Sequence, residues 1–65
     1  MTKSVRQLFA DATALLEDLH GIAVEGQAQD ASPDMMRVLV GSLRSGIRRL
    51  DGAAQRIITA LGEEA

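Results

Sequence analysis

Val5, Leu8, Ala12, Leu15, Leu19 and Ile22 recur at alternating steps of three and four along the first third of the chain. That spacing places side chains on one face of an α-helix. Phe9, Leu16 and Ala23 lie beside the row and widen it to about three positions in seven, as in a helix that faces a bundle core. Ser4 precedes the row and suits an N-cap. The pattern predicts a first helix over about 4–29, with Asp11, Asp18 and Glu25 as an acidic edge repeating every seven residues beside the apolar face.

The row breaks at Gln29-Asp30-Ala31-Ser32-Pro33-Asp34. Ser32 as N-cap, Pro33 at the first helical position and Asp34 in the first turn are three agreeing start signals. Beyond them Met36, Val40, Leu43, Ile47, Leu50, Ala54, Ile57 and Leu61 step by four and three without an error. The second helix is expected over about 33–61, with Gly62 as its stop and a turn at about 30–32 between the two. His20-Gly21-Ile22 offers a rival end to the first helix, a glycine C-cap followed by an apolar residue. The continuous helix is preferred because Ile22, Ala23 and Glu25 keep the register past Gly21.

These elements define an all-α fold, a two-helix antiparallel hairpin making up a single domain over 1–65. Two helices have no enclosed centre, so a wide stripe on each stays partly wet until something covers it. Pairing two hairpins into a four-helix bundle buries both stripes. A homodimer is therefore expected, or a heterodimer with another helical protein, its core formed by Leu8, Leu15, Leu19, Ile22, Val40, Leu43, Ile47, Leu50 and Ile57. Gly46, Ala53 and Ala60, seven apart, sit on an edge of the second stripe where small side chains let helices approach closely. Gly41 and Gly52 fall on the outer face.

Sixty-five residues allow one domain at most, and a chain this short is marginal without a staple or a partner. There is no cysteine, which excludes disulfides and thiolate metal sites and fits a reducing compartment. The first residues show no apolar signal segment, and the runs Val38-Leu39-Val40 and Ile57-Ile58 are too short to span a bilayer. A cytoplasmic location and no membrane partner are expected. The formal charge of −2 hides an asymmetry. Residues 1–30 carry Lys3 and Arg6 against five acids, whereas residues 37–56 carry five arginines against Asp51 alone. The two halves can attract each other, with Arg37 and Arg44 pairing with the acidic edge, each exposed pair contributing less than about 1 kcal/mol.

Nucleophilic catalysis is poorly supplied: one histidine, no cysteine, and serines without an elbow or a paired base. No strand pattern precedes a glycine-rich loop, which excludes a nucleotide-binding cradle. Glu17-Asp-Leu-His20 has the Glu-x-x-His spacing of di-metal bundles. Leu15, Leu16 and Leu19 take the inward positions there, so Glu17 and His20 belong on the surface. No catalytic, cofactor or metal site is expected, and the chain is not expected to be an enzyme.

The arginines of the second helix are the most informative polar residues. Gly41, Ser45, Arg48, Arg49, Gly52 and Arg56 form a candidate partner-binding face, where small residues admit a partner's backbone and arginine supplies forked donors. Solvated arginines with no partner are the plainer alternative. Nucleic acid is the less favoured partner, given the net negative charge and the lack of Trp and Tyr for base stacking.

In its hairpin plan, its length and its opening Met-Thr-Lys, the chain resembles the Rop family of plasmid copy-number regulators, dimeric helical hairpins that bind paired RNA loops. The resemblance implies the fold. That family's RNA face is a basic first helix, whereas this first helix is acidic, so none of its functional residues carries over. The short hairpin co-chaperones of type III secretion needle subunits are similar in the same outline. The expected function is a small regulatory or protein-interaction module that self-associates through the hairpin. The alternatives are a Rop-like RNA-binding regulator using the arginine face, and a helical co-chaperone completed by another protein.

Overall fold

The computed structural model describes residues 3–64. Two helices, α1 (Val5–Glu25) and α2 (Pro33–Glu64), run antiparallel and pack against each other, with no strand among the described residues. Ser4 opens α1 through a reciprocal capping box. Its hydroxyl accepts from the Gln7 N–H at 3.2 Å, and the Gln7 side chain accepts from the Ser4 N–H at 2.9 Å. Two of the orphan donors at the helix start are thereby satisfied. Ser32 opens α2 in the expected way, its hydroxyl accepting from the Met35 N–H at 3.1 Å while Pro33 occupies the first helical position.

Both helix ends differ from the sequence expectation. The first helix passes through Gly21 without a break but stops at Glu25, where Gly26 caps it. The chain then tightens into three-residue turns, with Gln27 N–H bonded to Val24 O and Ala28 N–H to Glu25 O. Residues 26–30 contain no large apolar side chain, so no docking offsets the cost of continuing through glycine, which is about 1 kcal/mol relative to alanine. At the other end α2 runs past Gly62 to Glu64 instead of ending there. Gly62 takes an ordinary negative φ, so the left-handed stop expected of it does not form.

The seam between the helices uses the expected row on α1. Leu8 is buried, and Val5, Ala12, Leu15, Leu19 and Ile22 are half-buried. On α2 the seam is Leu39, Leu43, Gly46, Leu50, Ala53, Ile57 and Ala60, rotated from the expected row. Leu43, Leu50 and Ile57 belong to both rows. Gly46, Ala53 and Ala60, expected at an edge, stand in the seam itself, and Val40, Ile47, Ala54 and Leu61 are left outside it. Close approach explains the choice. A Cβ on Gly46 would overlap Leu19 Cδ2 and stand 3.2 Å from Leu19 Cγ, so Leu19 fills the space that the missing side chain leaves. In an antiparallel pair the same register sets Leu8 level with Ile57 and Ala12 level with Ala53. Leu8, Ala53 and Ile57, the buried apolar residues among those described, all fall there.

The result is a rod of 50 × 17 × 15 Å, its length set by α2 at about 1.5 Å per residue. The radius of gyration is 15.1 Å, against about 11 Å for a compact chain of this length.

Candidate interaction surfaces

Each side of the rod has its own chemistry, and the helical register sets which residues go where. The residues that follow the seam positions Leu8, Leu15 and Ile22 on α1 are Phe9, Leu16 and Ala23. Those that follow Leu39, Gly46, Ala53 and Ala60 on α2 are Val40, Ile47, Ala54 and Leu61. A two-fold rotation normal to the plane of two antiparallel helices reverses direction but keeps each side on its side. Both sets therefore flank the seam on the same side of the hairpin. All seven are exposed, and Phe9, Leu16, Val40, Ile47 and Leu61 are each 50% exposed or more. Of the expected core, Leu8, Leu15, Leu19, Ile22, Leu43, Leu50 and Ile57 meet within the chain, whereas Val40 and Ile47 lie on this open face.

The opposite side is polar by the same logic. Asp11 and Asp18 precede the seam positions Ala12 and Leu19 on α1, with Glu25 a further seven residues on, and Ser42, Arg49 and Arg56 precede seam positions on α2. The acidic edge thus shares a side with Arg49 and Arg56, not with Arg37 and Arg44 as the sequence suggests. Arg37 instead pairs with Asp34 on its own helix at 2.6 Å, and Asp11 with Lys3 at 2.7 Å. No ion pair joins the two helices among the described residues. These exposed pairs contribute at most about 1 kcal/mol each.

Two shallow concavities lie along this polar side. Leu15, Asp18, Leu19, Ile22, Ser42, Ser45, Gly46 and Arg49 line one of about 240 Å³. Leu15, Ser45, Arg48, Arg49, Gly52 and Arg56 line the other, of about 490 Å³. The structure therefore brings together Ser45, Arg48, Arg49, Gly52 and Arg56 from the expected partner-binding face. Gly41 stands apart in open space, with nothing within 4 Å of a Cβ placed on it. Gly52 is half-buried rather than outward, with Arg56 Nη1 3.8 Å from such a Cβ.

Glu17 and His20 are both exposed, and no cluster of three metal-ligating side chains occurs among the described residues. No helix there is long and apolar enough to cross a membrane. No family model, curated protein or solved structure matches the chain.

The excess of apolar surface is legible in the sequence, but the residues of α2 that carry it are not. The signal was present, since Phe9, Leu16 and Ala23 stood out beside the α1 row. On α2 the seam takes the small Gly46, Ala53 and Ala60 and leaves the larger Val40, Ile47 and Leu61 on the open side.

Proposed function

We propose that the chain is a small, non-enzymatic interaction module that works as a self-associated helical hairpin, its open apolar face covered by another hairpin. The observation that carries this reading is that Phe9, Leu16, Val40, Ile47 and Leu61, half of the exposed large apolar side chains among the described residues, share a single side of the rod. Scattered exposed leucines need no explanation, but a contiguous apolar stripe marks an interaction surface. The inner seam supports the same reading, because among the described residues only Leu8, Ala53 and Ile57 are buried. At about 1.5–3 kcal/mol for each fully buried large side chain, so few cannot offset ordering two long helices. A cover from outside the single chain would supply the missing stability.

Concentration-dependent melting tests the reading. Folding linked to association makes the melting temperature rise with protein concentration. Ile47→Asp places a charge on the open face and touches nothing in the seam. The variant is expected to melt lower than the parent and to lose the concentration dependence. A parent chain whose melting ignores concentration, and a variant that melts with it, would overturn the proposal.

A further inference from the structure

The surface area says how much of the rod is missing a cover. The chain exposes 5223 Å², whereas a compact monomer of its 6.9 kDa mass exposes about 4,000 Å². The excess, about 1,200 Å², is more than the roughly 800 Å² that each partner contributes to a stable interface of standard size. A further hairpin on the open face would bury an area of this order.

Charge decides how that hairpin lies. Next to the apolar stripe, on its outer rim, α2 carries Arg37, Arg44, Asp51 and Ile58, and α1 carries Arg6, Thr13 and His20. Arg44 and Asp51 are both exposed, and neither makes an ion pair among the described residues. They sit seven residues apart and bracket Ile47. Leu19 lies opposite Gly46, so Leu16 and Ile47 stand at nearly the same height, about 3 Å apart along the rod.

Resting on the self-association reading, we propose that the cover is a second copy of this chain, related by a two-fold axis that crosses the rod near Leu16 and Ile47. In this arrangement α1 packs antiparallel on α1 of the second copy, and α2 on α2. Leu16 and Ile47 each meet their own counterparts, while Phe9 meets the small Ala23 and Val40 the small Ala54 of the other copy. Arg44 of each copy comes beside Asp51 of the other, giving two reciprocal ion pairs on one rim. An isologous interface needs this kind of self-complementary patch. The other closed stacking, about an axis along the rod, sets Arg44 beside His20 and Asp51 beside Thr13. It makes neither pair.

Charge exchange distinguishes the arrangements. Sedimentation equilibrium of Arg44→Asp and of Asp51→Arg is expected to show dimers roughly tenfold weaker than the parent's, because each change sets two like pairs against each other. The double exchange, Arg44→Asp with Asp51→Arg, restores the parent affinity. The sequence has no cysteine, so Ile47→Cys gives a second readout: mild oxidation should yield a covalent dimer through that single position, which needs Cα atoms within about 7 Å. A parental dimer with no restoration in the double exchange and no cross-link at Ile47→Cys would overturn this arrangement but leave self-association standing. A monomeric parent would overturn both.

Discussion

Gly46 and Gly41 sit five residues apart in one helix and have opposite consequences for the same chemistry. Neither has a left-handed backbone, so what differs is the space around them. Leu19 occupies the place of a side chain on Gly46, whereas a Cβ on Gly41 meets nothing within 4 Å. Gly41→Ala is expected to raise stability by up to about 1 kcal/mol, the helix propensity difference with no packing cost. Gly46→Leu is expected to lower it by about 1–3 kcal/mol through overpacking. Urea unfolding of the two variants checks the pair, and a stabilising Gly46→Leu would show that the helices do not approach there. The need for small residues at Gly46, Ala53 and Ala60 was legible from their seven-residue spacing. Their central place in the seam was not, because hydrophobic patterning weighs side chains by size and says nothing about how near two backbones come.

The start of each helix was easier to read than its end. Ser4, Ser32 and Pro33 act through their immediate neighbours, so local sequence suffices to locate them. The ends depend on what the helix touches. Just past Glu25 there is no large apolar side chain to dock, and past Leu61 the helix continues through a glycine expected to end it. The Ser32 cap is a testable element-level contribution, since its hydroxyl holds the Met35 N–H at 3.1 Å. Ser32→Ala is expected to cost about 1 kcal/mol of stability, read as a lowered urea midpoint. An unchanged midpoint would mean that the first turn of α2 is held by other contacts. The arginines show the same limit of local reading. Their clustering was visible in the sequence. Which arginines share a side with Asp11, Asp18 and Glu25 depended on the rotation of α2, and a shift of one position in the seam moved Arg37 and Arg44 away from the acidic edge.

At the scale of the whole molecule the two sides of the rod differ in chemistry, one apolar and one charged. The apolar side carries the residues that a second hairpin would bury. The polar side, with Ser45, Arg48, Arg49, Gly52 and Arg56 around a shallow concavity, would stay outside that interface and remain accessible in the proposed assembly. An all-helical hairpin was legible from periodicity alone, and so was the excess of apolar surface over what two helices can hide. The central claim is that this excess is covered by a like chain. Light scattering coupled to gel filtration, at micromolar concentration, measures it most directly. The account predicts a helical species of twice the 6.9 kDa chain mass; a well-folded species of single-chain mass would contradict it.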